Sequence, residues 1–399
     1  MISAAILGYG TVGAGVYKVL SMNRDLIKGR VGEEIRVKYV LDLREFPGDP
    51  VMEVLTHDYS DILNDPEVAI VVETMGGLKP AYDFTKNALL AGKSVCTSNK
   101  ELVAEHGVEL RKIAAEKNVN YLFEASCGGG IPIIHVLDSA LTADEIDSVS
   151  GILNGTTNYI LTQMMDAGQD FSDALKAAQD MGYAERHPEA DIEGWDACRK
   201  IAILSSLAYG KHISYKNVPT EGITDIDAAD MEYAGLMDMK IRLLAASRRT
   251  EDGVWAMVAP MLVGRDNMLY HVDGVLNAVL VHGNAVGDTL FYGSGAGSLP
   301  TASAVSGDVI SAARHLRRTM ASDWKAEEME LMPLDEIKHA FFVRFSGTEA
   351  EAEAAFGKIS PLRLAGRTEE FGFVTEVMTE SSFRKAASAG NVIKRIRIA

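Results

Sequence analysis

Along the first 125 residues, short apolar runs alternate with segments whose apolar positions have helical spacing. The runs are SAAIL (3–7), IRVKYVL (35–41), VAIVVET (68–74), SVCTS (94–98) and NYLFEAS (120–126), and each predicts a strand. Between them lie VGAGVYKVLSM, PAYDFTKNALLAG and ELVAEHGVELRKIAAEK, which predict helices. Strand and helix in alternation imply βαβ units and a parallel sheet, an α/β class.

The pattern changes over about 131–295, where helical spacing marks 131–141, 155–167, 171–181 and 195–209. Longer strand-like runs follow, MKIRLLAASRR, VWAMVAPMLV and LNAVLVHGNAVGDTLFYG, which predict an antiparallel set and an α+β domain. Their broad apolar faces suit a core sheet or an interface between copies of the chain. Residues 300–318 predict a further helix, and the acidic ASDWKAEEMELMPLDE after it reads as a linker. The tail runs strand, helix, strand, strand, helix, strand, the order of a small ferredoxin-like module. The expected domains are 1–135, completed by about 296–320, then 136–295, a linker over 321–337, and 338–399.

Composition narrows the partners. A formal net charge of −17 over 399 residues argues against nucleic acid or an anionic membrane, which both need a positive footprint. The start MISAAILGYG has no basic segment and does not read as a signal peptide, and no stretch reaches the length of a membrane span. Three cysteines, Cys96, Cys127 and Cys198, fit a reducing compartment better than a disulfide framework, so a cytoplasmic protein is expected. The nine histidines show no paired ligand spacing, which leaves no basis for zinc.

Directly after the first strand comes GYGTVGAG (8–15), with Gly8-x-Gly10-x-x-Gly13 opening a helix. In that setting Gly8 permits a tight turn, Gly10 admits a pyrophosphate to the backbone, and Gly13 lets helix and strand pack closely. Phosphate would sit at the helix N-terminus. At the end of the second strand, Asp42 suits a ribose 2′-OH and NAD, whereas Arg44 suits a 2′-phosphate and NADP. Both readings stand.

In GWDACRK (194–200), Asp196 and Lys200 fall one helical turn apart, ahead of the uncharged IAILSSLA. The pair is either a solvated surface couple or a proton-transferring lysine with the carboxylate that positions it. Glu185, Glu189, Asp191 and Glu193 precede it, and Pro188 makes RHPEADI a loop.

Together with TSNKELVAEHG (97–107), FEASCGGGIPII (123–134), GILNGTTNYIL (151–161), GYAERHPEADIEGWDACRK (182–200) and GAGSLPTASAVSGD (295–308), the glycine motif closely resembles homoserine dehydrogenase over about 1–320. The resemblance implies a Rossmann-type domain, an α+β catalytic and dimerisation domain, and a homodimer or homotetramer. It implies reversible hydride transfer between L-homoserine and L-aspartate 4-semialdehyde with NAD or NADP. Lys200 matches the family's acid/base and Asp196 its orienting carboxylate. Glu185 and Asp191 match groups that hold the substrate ammonium, Tyr183 lines the pocket, and Thr156 contacts substrate or caps a helix. Lys100 matches a lysine at the cofactor–substrate junction. The cofactor set implied is Gly8, Gly10, Thr11, Val12, Gly13, Asp42, Arg44, Thr74, Lys100 and Gly297. The loop after the fifth strand is either a flexible glycine turn or, as in the family, a sodium site using Glu124, Cys127, Gly129 and Ile131.

Two other functions are compatible with parts of this pattern. Cys127 in a glycine-rich loop could act as a nucleophile, as in aspartate-semialdehyde dehydrogenase, though no paired base or phosphate motif accompanies it. A nucleotide-bound amino-acid sensor without turnover is the other. The tail over about 338–399 resembles an ACT domain, which implies an amino-acid effector, but its usual threonine-binding turn is absent from FSGTEAE.

Overall fold

A computed structural model describes residues 1–320, 324–388 and 390–399, and these fall into two compact units. The first comprises Met1–Glu145, Ala202–Tyr215 and Phe291–Met329. Its sheet holds β1 (Ile2–Leu7), β2 (Ile35–Leu41), β3 (Leu55–Thr56), β4 (Val68–Glu73), β5 (Ser94–Thr97) and β6 (Tyr121–Leu122) in the order β3-β2-β1-β4-β5-β6. Every neighbouring pair is parallel. The order reverses at β1, so a crevice opens beyond the carboxyl ends of β1 and β4, where such sheets bind ligands.

The five predicted strands are all present, and the two-residue β3 is additional. NYLFEAS yields only a short β6, because Glu124 N–H leaves the ladder and donates to Asp308 Oδ2 at 2.9 Å. The predicted helix over 131–141 contracts to a π-helical turn at Val136–Ala140. Val16 and Leu20 from the first helix, α1 (Thr11–Met22), share one apolar core with Ile6, Ile70 and Val72. The helix Ser298–Arg314 adds Ala302, Val305 and Val309 to it. The two helices cross closely, since a Cβ on Gly15 would stand 2.8 Å from Ser298 O.

Part of the predicted linker is ordered. Trp324 is buried, its ring centroid 6.0 Å from that of Phe123, and Arg111 stacks over it at 5.3 Å. Lys325–Glu328 then pairs with Lys211–His212. Its four exposed side chains explain why the stretch looked like a linker. Residues 321–323 of that linker lie outside the described residues.

The second unit comprises Ile146–Ile201, Lys216–Leu290 and Glu330–Ala399. The eight-stranded sheet associated with it runs Gly287–Ser294, Leu276–Gly283, Ile146–Ile152, Met239–Thr250, Gly253–Gly264, Val392–Ile398, Phe341–Phe345 and Phe371–Val374. The predicted antiparallel set is there, with Met239–Thr250 and Gly253–Gly264 paired in register along their whole length. Ile146–Ile152 was not legible, because its apolar residues Ile146, Val149 and Ile152 fall every third position.

The outer strands and both helices of the tail are where the pattern predicts them, but PLRLAG (361–366), expected as a strand, makes only an isolated bridge from Leu362 to Gly372, and FGFVTEVM splits into Phe371–Val374 and Met378–Thr379. Three of the tail's strands continue the large sheet. Val392–Ile398 pairs parallel to Gly253–Gly264 and antiparallel to Phe341–Phe345. Helices Glu349–Phe356 and Glu380–Ala387 cover this end around Phe341, Phe345, Phe373 and Phe383. Among the described residues, no helix is long and apolar enough to cross a membrane.

Candidate active site

In the first unit, the glycine loop is fixed by its own geometry. Gly8 has φ +93°, in the left-handed region, and a Cβ on Gly13 would stand 1.9 Å from Gly8 O, so only glycine fits there. A Cβ on Gly10 would meet nothing within 4 Å. That is the open side a pyrophosphate needs. Gly10 is the N-cap of α1 and supplies no side-chain cap, which leaves the helix N-terminus to an anion. The Thr74 hydroxyl donates to Leu7 O at 3.0 Å and Gly8 O at 2.9 Å, pinning the loop from β4. Gly297 caps the helix Ser298–Arg314 at φ +115°, and Ser298 Oγ donates to Thr11 O at 2.8 Å. Val12 packs against the core.

Asp42 and Arg44, which offered rival readings of the cofactor, bind each other. Asp42 accepts from Arg44 Nη2 at 2.9 Å, from Arg44 Nε at 3.0 Å and from Tyr9 N at 2.8 Å. The Arg44 side-chain bond and these N–H groups outweigh burial and hold the Asp42 carboxyl well below the usual range.

Two features of this end were missed in the sequence. Buried Glu73 accepts from Thr97 Oγ1 at 2.6 Å and Met75 N at 2.8 Å, so it ties the loop after β4 to the end of β5. Asn99 caps the helix Lys100–Glu116 and donates to Gly77 O at 2.6 Å. Half-buried Lys100 is therefore presented at the carboxyl end of β5 by a fixed loop.

The glycine loop after β6 packs closely against neighbouring backbone. A Cβ on Gly128 would stand 2.6 Å from Ile131 O, and one on Gly129 would stand 2.2 Å from Gly295 O. The buried Glu124 carboxylate accepts from Ile133 N at 2.7 Å, Ile134 N at 2.9 Å and His135 N at 2.7 Å. Burial nevertheless pushes its carboxyl up. Two oxygens offer about four acceptor positions, so these three N–H donors leave one open. Cys127 is fully buried, the wrong setting for a nucleophile that must reach substrate.

In the second unit, Lys200 and Asp196 lie in the first half of the helix Trp195–Tyr209. Their side chains are only 10% and 2% exposed, which rules out a solvated surface couple. Lys200 Nζ donates to Asp196 Oδ2 and to Leu153 O, each at 2.7 Å. Asn154 completes the arrangement. Its Nδ2 donates to Asp196 Oδ2 at 2.9 Å and Asp191 Oδ1 at 2.7 Å, while Oδ1 accepts from Thr157 N at 2.9 Å and caps the helix Gly155–Ala167. One side chain thus joins a helix cap to both carboxylates.

Asp191 lies in the single helical turn Glu189–Ile192, which forms where the Pro188 loop was expected. Thr156 is not the cap; its hydroxyl donates to Tyr183 O at 2.7 Å and ties down the loop before Glu185. Tyr183 and Glu185 are exposed on that loop, outside the Asn154 cluster, and Glu189 and Glu193 are exposed as well.

Residues 8–124 match the NAD-binding domain of homoserine dehydrogenase, and residues 132–310 match homoserine dehydrogenase itself. The homoserine dehydrogenase of Helicobacter pylori is 41% identical over 363 residues, covering 90% of this chain and 85% of that protein. The chain belongs to the homoserine dehydrogenase family. A solved homoserine dehydrogenase from Thiobacillus denitrificans superposes with a TM-score of 0.92 at 37% identity, covering 100% of this chain and 98% of that one. A hyperthermophilic archaeal homoserine dehydrogenase mutant, solved in complex with NADPH, gives 0.66 at 28% identity over 78% of this chain and 97% of its own.

As a homoserine dehydrogenase, the chain catalyses reversible NAD(P)-dependent hydride transfer between L-homoserine and L-aspartate 4-semialdehyde. That sets aside the acyl-phosphate and sensor readings. Buried Cys127 agrees with this on physical grounds. Of the residues singled out for substrate chemistry, the fold gathers Lys200, Asp196 and Asp191 around Asn154. The signal for Asn154 is present in LNGTTN, an N-cap residue ahead of a helical pattern, one position before the Gly155 that opens the helix.

Proposed function

We propose that Lys200 exchanges the proton with the substrate's side-chain oxygen, with Asp196 and Asn154 holding its ammonium in place. The observation that carries this reading is the buried Lys200–Asp196–Asn154 set, with Nζ bonded at 2.7 Å to both Asp196 and Leu153 O. The bound nicotinamide supplies or accepts the hydride. In reduction, Lys200 gives its proton to the aldehyde oxygen as charge builds there and is left as the neutral amine. In oxidation, that amine removes the hydroxyl proton. Asp191 and Glu185 take the substrate ammonium, Tyr183 lines the pocket, and Thr156 fixes the loop that carries them. The cofactor lies along Gly8, Gly10, Thr11, Val12 and Gly13, with Thr74 and Gly297 beside it and Asp42 and Arg44 at the ribose. Lys100 serves the junction between cofactor and substrate.

A monovalent cation held by Glu124 and the carbonyls of Cys127, Gly129 and Ile131 has a structural role. Its test is the melting temperature in sodium against choline chloride, and equal values remove the site. The tail is an ACT-like effector domain, tested by whether threonine or methionine changes homoserine KM. The assembly is a homodimer or homotetramer, which light scattering distinguishes from a monomer. The compartment is the cytoplasm, a reading supported by three buried cysteines without a disulfide. The decisive experiment is homoserine oxidation followed with NAD+ and NADP+ side by side. Wild-type turnover that survives in Lys200→Ala would sink the Lys200 assignment.

A further inference from the structure

The turn that carries Asp191 is pressed against residues 220–223. Ile223 N donates to Ile192 O at 2.8 Å. A Cβ on Gly222 would stand 2.4 Å from Ile192 O and 2.7 Å from Glu193 Cα, so the two backbones touch with no space for a side chain. On the other side of the turn, a Cβ on Gly194 would stand 3.0 Å from Thr220 Cγ2 and 3.4 Å from Glu221 O. Residues 220–223 and 192–194 are thus in direct backbone contact.

Residue 221 is held in two ways. Its N–H donates to Val258 O at 2.8 Å. Its carboxylate is gripped by the last strand of the chain. Arg397 Nη1 reaches Oε2 at 2.9 Å and Nη2 reaches Oε1 at 2.8 Å, while Arg395 Nη2 reaches Oε1 at 3.1 Å. Arg397 is 1% exposed, and its Nε donates to Glu380, 2% exposed, at the start of the tail helix Glu380–Ala387. The Glu221 side chain is 41% exposed, so water screens the pair and its contribution to stability is modest. What the pair supplies is a bidentate, fixed direction.

We infer that Glu221 is a positioning residue through which the C-terminal strand Val392–Ile398 sets the placement of the Asp191 turn, and with it the affinity for homoserine. The inference rests on the proposed role of Asp191 toward the substrate ammonium. It makes the tail part of the substrate site's frame: a shift of Arg395 and Arg397 moves Glu221, then Gly222 and Ile192, then Asp191. The Gly8–Gly13 loop has no part in this route, so cofactor binding is unaffected.

The test is steady-state homoserine oxidation by the full chain as Glu221→Gln, Asp191→Asn and the double variant, with melting temperatures alongside. Glu221→Gln raises homoserine KM about tenfold, with cofactor KM unchanged and kcat within about twofold. Added to Asp191→Asn, it raises KM no further, because its effect passes through Asp191. A homoserine KM unchanged in Glu221→Gln but raised in Asp191→Asn overturns the inference, as do fully independent effects in the double variant. An unchanged KM in Asp191→Asn overturns the Asp191 reading instead. Should Glu221→Gln fail to fold, Gly222→Ala pushes the same turn directly and Arg395→Met loosens the grip from a partly exposed side. An unchanged homoserine KM in both overturns the inference.

Discussion

Asn154 Nδ2 stands 2.9 Å from Asp196 Oδ2, and the same side chain caps the helix Gly155–Ala167 through its Oδ1. Two duties meet in one residue, and substitution can separate them. Serine at this position still caps the helix, but it is too short to bridge Asp191 and Asp196. Asn154→Ser therefore keeps a melting temperature close to wild type while turnover falls at least tenfold. Asn154→Ala loses both, with a stability cost of about 1 kcal/mol from the cap. Calorimetry and steady-state kinetics on the two variants check this. Full activity in Asn154→Ser would show that the bridge does no catalytic positioning.

Lys200→Ala removes the proposed acid/base and should lower kcat by roughly 10²–10⁴. It also leaves Asp196 buried without its cation, so a loss of about 3 kcal/mol or more is expected in urea unfolding. Cys127→Ser, a small change in a fully buried position away from the proposed chemistry, retains most activity. The opposite ranking in homoserine oxidation would return the assignment to a thiol mechanism.

The fold was legible where apolar period and turn chemistry agreed. GYGTVG after SAAIL predicts the first strand, the crossover and the open N-terminus of α1, because Gly8 and Gly13 each answer a distinct steric demand while Gly10 leaves the helix end open. Asp196 and Lys200 were legible as a pair through helical spacing, but their partners Asn154 and Leu153 lie in the connection between the strand Ile146–Ile152 and the helix Gly155–Ala167, more than 40 positions away. Glu73 looked like the end of an apolar run, and only the neighbouring β5 reveals what its carboxylate holds. The tail's first and last strands and its two helices could be read, yet its pairing with Gly253–Gly264 joins residues more than 130 positions apart, beyond any local pattern.

Asp42 and Arg44 make a prediction about cofactor choice. The carboxylate is ionised throughout the working range, because Arg44 holds its carboxyl well below the usual values. Its preference for a ribose hydroxyl should therefore not change with pH between about 6 and 9. Arg44 is mostly exposed and can turn toward a 2′-phosphate. Arg44→Ala lowers kcat/KM for NADP+ about tenfold more than for NAD+, and Asp42→Asn shifts the ratio the other way. If neither variant moves the ratio, these residues do not read the 2′ position.

The grip of Arg397 and Arg395 on Glu221 predicts a specific acid sensitivity. Burial disfavours the charged carboxylate, but the two guanidiniums prevail and take its pKa from 4.5 to about 2. The folded state thus binds a proton at this site less readily than the unfolded chain. Its contribution to stability is complete above pH 4.5 and is lost as pH falls from 4.5 toward 2. The Glu221 side chain is 41% exposed, so water screens part of the effect and a modest slope is expected. Urea midpoints at about pH 5, 4 and 3 should fall in the wild type and fall less steeply in Glu221→Gln, which carries no titrating group there. The variant begins from a lower midpoint near neutrality, where the wild-type pair is fully formed. Parallel slopes for the two proteins would mean that the acid sensitivity of this fold arises from other carboxylates.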